Sequence, residues 1–132
     1  MIMTLVDSNW LVDYLKGRAP ALELLTPLIT AGQLATSIIV YGEIIEGLLD
    51  ITTPEHTRLA FSQVRSGVPA LGLDMQTAEM FASQRASLRS RGQLIPDHDL
   101  WIAATALRYD LRLLSRDKHF ERIPNLRIYP TS

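Results

Sequence analysis

Residues 95–107 read Ile-Pro-Asp-His-Asp-Leu-Trp-Ile-Ala-Ala-Thr-Ala-Leu, and this stretch predicts the start of a helix that is rich in small residues. Pro96 disfavours helical backbone at the residue before it, so the helix should begin after Pro96. Asp97 is then a natural N-cap. Asp99 falls in the first turn, where the positive end of the helix dipole favours a carboxylate.

Asp99 shares a helix face with apolar residues three, four and seven positions further on, which are Ile102, Ala103 and Ala106. That face should lie against the core. A carboxylate in such a place is costly unless a positive partner compensates its charge. Asp99 should therefore meet a cation or another polar group from elsewhere in the chain.

The composition is that of an ordinary globular protein. The chain has 132 residues, of which 47% are hydrophobic and 20% charged, and we expect one domain over residues 1–132. The net charge of −1 gives no global attraction to nucleic acid. Cysteine is absent, which excludes disulfides, thiolate zinc sites and a cysteine nucleophile.

The N-terminal sequence predicts the location of the protein. Residues 1–7 carry no basic segment, and their apolar run is too short for a signal peptide. No window reaches the roughly 18 apolar residues of a membrane span. We therefore expect a cytoplasmic protein that is not attached to a membrane.

Strand and helix patterns alternate along the chain. Apolar runs predict strands at residues 2–6, 33–36, 69–73, 111–115 and 126–129. Helical periodicity and end signals predict helices at residues 10–16, 21–30, 38–49, 54–67, 75–90, 97–109 and 117–122. Ser8 or Asn9 is the expected cap of the first helix. This order predicts an α/β fold, with a single three-layer domain and a mostly parallel sheet of four to five strands covered by helices on both faces.

Acidic residues follow the predicted strands. Asp7 is the first residue after the first strand, and Asp117 follows the strand at 111–115. Glu43 interrupts the apolar stripe of the helix at 38–49, as Asp99 does in its own helix. Because chemistry in open α/β sheets sits beyond the carboxyl ends of the strands, we expect these four acids to meet at one rim.

Each acid also has a simpler interpretation. Asp7, Asp97 and Asp117 could be helix caps. Asp99 could be a first-turn residue that the helix dipole favours. Glu43 could pair with an arginine. The simpler interpretations weaken when the acids are considered together, because two sit at strand ends and two interrupt apolar faces.

Four carboxylates in one pocket repel each other, so either their pKa values rise or a cation neutralises them. An all-oxygen ligand set without cysteine favours Mg²⁺ or Mn²⁺ over zinc. Such an ion lowers the pKa of a bound water and screens the charge that builds up on phosphorus. The pattern therefore suits hydrolysis of a phosphodiester.

Four segments of the sequence together resemble one family. They are residues 5–11, 37–47, 95–107 and 113–120, and each contains one of the four acids. In this order, with the Ile-Ala-Ala-Thr-Ala run after the third acid, they resemble the PIN-domain family, and within it the VapC-type toxins of toxin–antitoxin pairs. The resemblance extends over essentially the whole chain.

The resemblance implies both a site and an activity. Its four acids fall, in chain order, on Asp7, Glu43, Asp99 and Asp117. Ser8, Asn9 and Ser115 match polar positions beside the first and fourth acids. Asp97 is either a further metal ligand or a plain helix cap. The implied protein is a Mg²⁺- or Mn²⁺-dependent endoribonuclease that cuts RNA, forms a homodimer and is inhibited by a cognate VapB-type antitoxin.

A rival hypothesis is a catalytically silent protein of the same fold, whose task is to hold an antitoxin or RNA. Other enzyme classes lack their motifs, since the chain has no His-Glu-x-x-His helix and no glycine-rich phosphate loop. The histidines are scattered. His98 lies between two acids and could touch a substrate, but the simpler expectation is that it faces solvent at the start of its helix.

Basic and aromatic residues are the candidates for RNA contacts. Arginines cluster late in the helix at 75–90, namely Arg85, Arg89 and Arg91, and Arg85 is placed to reach toward the acids. A second group is expected near the fourth acid: Arg108, Arg112, Arg116 and Lys118. Such cations would be needed to hold phosphates beside an acidic pocket. Each arginine could equally be solvated or ion-paired. Trp10, Tyr14, Tyr41 and Trp101 could stack on bases, but burial is the simpler role.

Overall fold

The computed structural model describes residues 1–130, in which six α-helices flank a four-stranded parallel sheet. The strands are β1 (Thr4–Val6), β2 (Leu34–Ser37), β3 (Ala70–Leu71) and β4 (Arg112–Leu114). The helices are α1 (Ser8–Leu15), α2 (Ala21–Thr30), α3 (Ile38–Leu48), α4 (Glu55–Gly67), α5 (Met75–Ser90) and α6 (Asp97–Arg108). A short 3₁₀ helix covers Lys118–Arg122. The α/β fold class predicted from the sequence is confirmed.

The sheet has the order β3-β2-β1-β4 and every pair in it is parallel. Leu5 in β1 lies beside Ala35 on one side and Leu113 on the other. The chain adds β2 and β3 on one side of β1, and then crosses to the other side for β4. The strand order therefore reverses between β1 and β4, which is where open α/β sheets form their binding crevice.

Helix α6 owes its close packing to small side chains. Ala103, Ala104 and Ala106 are completely buried, and so is the larger Ile102. Helix α5 packs along α6, where the Phe81 and Trp101 rings stack with centroids 3.9 Å apart. Because most of the α6 surface is buried and much of it carries small side chains, neighbouring elements can pack closely around this helix.

Several helix ends follow the local signals in the sequence. Asp74 caps α5 in a capping box with Thr77, whose backbone N–H it accepts at 2.8 Å. Gly17 and Gly92 follow α1 and α5 with φ values of 69° and 66°, a conformation that glycine adopts without strain. The predicted cap of α1 is wrong, because the helix begins at Ser8 and Asp7 itself is the N-cap.

Two further expectations are corrected. Asp97 is the first residue of α6 and not its cap, and Pro96 occupies the N-cap position without a capping side chain. The predicted strand at 126–129 is reduced to a single bridge between Leu113 and Ile128. That segment lies between a turn at residues 124–125 and Pro130, so it makes only the hydrogen bonds of one bridge.

Among the helices of residues 1–130, none is both long enough and apolar enough to span a membrane.

Candidate metal and nuclease site

Asp7 lies at the reversal point of the sheet, directly after β1. Its backbone N–H donates to the carbonyl of Leu114 at the end of β4, at 2.9 Å. Its Oδ1 accepts the backbone N–H of Ser8 at 2.7 Å, and its Oδ2 accepts the hydroxyl of Ser115 at 2.7 Å. Asp7 is only 5% exposed. Each of its carboxylate oxygens therefore has a donor, and the side chain is fixed in place.

Ser115 joins the first acid to the fourth. Besides donating to Asp7, its hydroxyl oxygen accepts the backbone N–H of Asp117 at 3.1 Å. Asp117 caps the 3₁₀ helix by accepting the backbone N–H of His119 at 2.9 Å. The loop after β4 is thus ordered by hydrogen bonds that lead from one acid to the next.

Asp99 and Asp117 meet at the ring of His119. Nδ1 of His119 lies 3.3 Å from Oδ2 of Asp99 and 3.1 Å from Oδ1 of Asp117. One ligand atom from each of the three residues lies within 4.8 Å of the others. Asp99 is 7% exposed, as its place on the apolar face of α6 predicted.

Glu43 reaches the cluster through a second histidine. Nε2 of His98 lies 3.0 Å from Oε2 of Glu43, and Nδ1 of His98 lies 3.4 Å from Oδ1 of Asp99. The predicted apolar stripe of α3 exists, but the expectation that Glu43 is buried with it is wrong. Its side chain is 39% exposed, and only Val40 and Ile44 of that stripe are buried. Glu43 therefore forms the solvent-facing edge of the site.

The electrostatics of the site show that negative charge is in excess. Burial raises the pKa of Asp99, and the charges of Asp117 and Asp7 add to this effect. The hydrogen bond from His119 and the charge of His98 oppose it only in part. The charge of Asp7 acts on Asp99 across the crevice, so the acids of β1, α6 and the loop after β4 form one electrostatic group.

The same negative charge raises the pKa of His98. Burial lowers the pKa of His98, but the hydrogen bond to Glu43 and the charges of Glu43, Asp99 and Asp7 outweigh that effect and raise it. The acids on either side of the imidazole therefore favour its protonated form.

The remaining predicted site residues lie further out. Asp97 has a side chain that is 63% exposed, and its Oδ1 accepts a hydrogen bond from Nε of Arg85 at 3.1 Å. Ser8 contributes its backbone N–H to Asp7, and Asn9 is exposed on the first turn of α1. The role of Asp97 as a metal ligand stays a prediction.

Two histidines of the site were missed by the sequence analysis. His98 was expected to face solvent, and its side chain is indeed 49% exposed, yet it contacts both Glu43 and Asp99. His119 was not singled out. The available signals were local, since His98 adjoins Asp99 and His119 lies two residues after Asp117.

Of the four cations predicted near the fourth acid, Lys118 is exposed next to Asp117 in the chain, and the three arginines make other contacts. Arg108 pairs with Asp74 at 3.0 Å, and Arg112 lies over the ring of Tyr129. Arg116 stacks on Trp10 and pairs with Asp13 at 2.7 Å. The guanidinium groups of these three arginines therefore contact residues outside the acidic cluster. Arg85 reaches the edge of the site, where it donates a hydrogen bond to Asp97. Trp10 is buried, as expected.

The donor set fits a hard divalent ion. Carboxylate oxygens of Asp99 and Asp117 and a nitrogen of His119 converge, and the buried charge of Asp99 lacks full compensation. An ion at this place would offset that charge. The remaining acids, Asp7 and Glu43, border the cluster through Ser115 and His98 and would hold waters around such an ion.

Comparison with known proteins identifies the class. A family model described as the PIN domain matches residues 4–126, and the chain therefore belongs to the PIN-domain family. Its relatives are named as VapC ribonucleases. Ribonuclease VapC1 of Methanocaldococcus jannaschii is 34% identical over 95% of this chain and 85% of its own length. Ribonuclease VapC4 of Mycobacterium tuberculosis is 30% identical over 70% of this chain and 72% of its own length.

Solved structures show the same fold. The VapBC structure from Salmonella typhimurium bound to DNA has a TM-score of 0.84 and 25% identity, and the match covers 98% of both chains. VapBC2 from Rickettsia felis, bound to a DNA fragment of its promoter, also has a TM-score of 0.84, at 22% identity over 97% of this chain and 98% of that one. The resemblance to VapC-type PIN domains stated from the sequence is thus confirmed.

Proposed function

We propose that this chain is a Mg²⁺- or Mn²⁺-dependent endoribonuclease and the toxin of a VapBC-type toxin–antitoxin pair. One observation carries the proposal: ligand atoms of Asp99, Asp117 and His119 converge within 4.8 Å, beside the point where the strand order reverses. The relatives that are named as ribonucleases support the activity.

The proposal gives each acid a task. When bound, a divalent ion supplies positive charge against the phosphodiester and its attacking water. Asp99 and Asp117 hold that ion, while Asp7 is kept in one orientation by Ser8 and Ser115. Glu43 lies at the exposed edge with its Oε2 against His98. It is therefore placed to accept a proton at that edge from the water that attacks phosphorus.

Cleavage of RNA by the purified chain tests the activity. Wild type is expected to cut RNA with Mg²⁺ or Mn²⁺ and to stop when the ion is chelated. Asp7→Asn and Asp99→Asn should abolish cutting, because each removes a charge from the cluster. Glu46→Gln is the matched control, since Glu46 is an exposed acid on the same helix as Glu43. A wild type that cuts no RNA with either ion contradicts the proposal and favours a silent binding protein.

An antitoxin of the VapB type is the proposed partner. The complexes from Salmonella and Rickettsia pair a chain of this fold with VapB. A cavity of about 550 Å³ is lined by residues of α1, α3 and the start of α4, and Glu43 of the site is among them. Its apolar lining includes Val12, Leu15, Ile44 and Leu48, so it could take an apolar segment of the antitoxin next to the site.

Expression in cells tests the partner. The chain expressed alone should arrest growth, and Asp99→Asn should relieve the arrest. The protein encoded by the neighbouring open reading frame should relieve it too and purify with the chain. Harmless expression of the active wild type would contradict the toxin assignment.

The homodimer and the cytoplasmic location belong to the same proposal. Sedimentation velocity is expected to give twice the 14.8 kDa mass of the chain. Cell fractionation should recover the protein with the cytoplasmic contents. A monomer at every concentration would refute the dimer without affecting the nuclease assignment.

A further inference from the structure

We infer that His119 supplies a nitrogen ligand to the metal, and that this nitrogen makes the site select Mn²⁺ over Mg²⁺. The inference rests on the proposed function, because it needs a divalent ion between Asp99 and Asp117. It goes beyond the all-oxygen ligand set that the acids alone suggest.

The first argument is the separation of the donor atoms. Nδ1 of His119 lies 3.1 Å from Oδ1 of Asp117 and 3.3 Å from Oδ2 of Asp99. Adjacent ligands of an octahedral ion with bonds of about 2.1 Å are about 3.0 Å apart. These two separations are those of neighbouring ligands of one ion, and an ion bound there would replace the proton that Nδ1 shares with Asp99.

The second argument is that the ring is held in place. The backbone N–H of His119 donates to Asp117 at 2.9 Å, which ties the histidine to the acid beside it. The next residue, Phe120, is 1% exposed and anchors the 3₁₀ helix in the core. The backbone of His119 is therefore tied to Asp117 on one side and to the buried Phe120 on the other, and its ring lies against the two carboxylates.

The third argument separates His119 from His98. His98 touches Asp99 with Nδ1 and Glu43 with Nε2, so its two nitrogens point at different acids. In residues 1–130, the group whose ligand atoms converge contains His119 and not His98. His98 therefore acts as a bridge between acids, and His119 as the ligand.

The chemistry of the nitrogen sets the preference. Mg²⁺ takes oxygen ligands and keeps several of its waters. Imidazole is a softer donor, and transition ions gain more from it than Mg²⁺ does. Exchange of this nitrogen for an oxygen should therefore weaken binding of Mn²⁺ and leave binding of Mg²⁺ nearly unchanged.

The test is pulsed electron paramagnetic resonance of the full chain loaded with Mn²⁺, together with calorimetric titration of Mn²⁺ and Mg²⁺. Wild type should show hyperfine coupling to a directly bound ¹⁴N. In His119→Asn, whose amide oxygen lies near the position of Nδ1, the coupling should vanish and the Mn²⁺ dissociation constant should rise at least about tenfold. His98→Asn is the matched control and should keep the coupling.

Failure of the inference and failure of the proposed function give different results. If wild type binds neither ion, both the proposed metal-dependent nuclease function and the ligand role of His119 are refuted. If wild type binds Mn²⁺ without ¹⁴N coupling, or loses the coupling in His98→Asn and keeps it in His119→Asn, only the role of His119 is overturned. Circular dichroism of each variant verifies that the fold is retained.

Discussion

The hydroxyl of Ser115 donates to Oδ2 of Asp7 at 2.7 Å, although 108 positions of sequence separate the two residues. The bond crosses the crevice between β1 and β4, where the strand order of the sheet reverses. The same hydroxyl accepts the backbone N–H of Asp117 at 3.1 Å. A single side chain therefore sets the distance between two acids of the site.

Loss of this hydroxyl should loosen the site without unfolding the chain. Ser115→Ala leaves one oxygen of Asp7 and the amide of Asp117 without their partner, so we expect Mn²⁺ affinity to fall about tenfold and RNA cleavage to fall with it. Calorimetry and a cleavage assay measure the two effects. Ser115→Thr keeps the hydroxyl and should stay close to wild type. Equal losses in both variants would show that side-chain size, and not the hydrogen bond, is what matters.

Asp99→Asn is expected to stabilise the metal-free protein while it destroys the metal site. Burial raises the pKa of Asp99, so folding favours its neutral form, and the cost of its charge appears as pH rises from the unfolded pKa through the folded pKa. At pH 7 the neutral asparagine avoids that cost and should increase the free energy of unfolding by about 1 kcal/mol. Urea denaturation without metal measures the change. Added Mn²⁺ should raise the stability of wild type and not of the variant.

The ion pair between Asp74 and Arg108 should make stability depend on acid pH. Hydrogen bonds from Arg108 and from Thr77 hold the pKa of Asp74 well below its usual range. Because the folded pKa is depressed, the contribution is present above the unfolded pKa of about 3.9 and is lost as pH falls through the folded value. Asp74→Asn keeps a capping oxygen but loses the charge.

We therefore expect the melting temperature of Asp74→Asn to lie below that of wild type at neutral pH, and the gap to shrink steadily as pH falls below about 4. Calorimetric melting between neutral and acid pH measures the gap. Asp74→Ala, which also loses the cap, should lie lower than Asp74→Asn throughout. A gap for Asp74→Asn that stays constant down to the lowest pH would assign the effect to capping and not to charge.

The parts of the site that depend on backbone periodicity were predictable from the sequence. The burial of Asp99 follows from the helical spacing of the small residues after it. The meeting of Asp7 and Asp117 follows from the rule that parallel strands end at one rim. Both inferences need only the positions of residues along regular elements.

Features that depend on side-chain reach across the fold were not predictable. His119 contacts Asp99 across 20 positions of sequence, and Arg108 pairs with Asp74 across 34. Glu43 is exposed because the buried surface of α3 is limited to Val40 and Ile44. Sequence spacing fixes the face on which a residue lies, but the depth to which that face is covered depends on the neighbouring helices.

Arg116 should position the loop that carries Ser115 and Asp117. Its guanidinium carbon lies 4.1 Å from the ring centroid of Trp10, and its Nη1 donates to Oδ2 of Asp13 at 2.7 Å. Both partners belong to α1, which Asp7 caps, so the contacts tie the loop after β4 to the helix after β1. Arg116→Ala is expected to weaken Mn²⁺ binding about tenfold, by releasing the two site residues that flank it.

The second arginine that pairs with Asp13, Arg18, offers a matched control for Arg116. Nη1 of Arg18 lies 3.6 Å from Oδ1 of the same Asp13, its side chain is 61% exposed, and it lies on α1's side of that pair and not in the loop after β4. Such an exposed pair contributes at most about 1 kcal/mol to stability, so Arg18→Ala should leave both the fold and Mn²⁺ binding intact. Arg116→Lys should behave like Arg116→Ala, because lysine keeps the charge but cannot stack its planar group on Trp10. If Arg116→Lys restores Mn²⁺ binding, charge alone positions the loop, and the stacking on Trp10 is not needed.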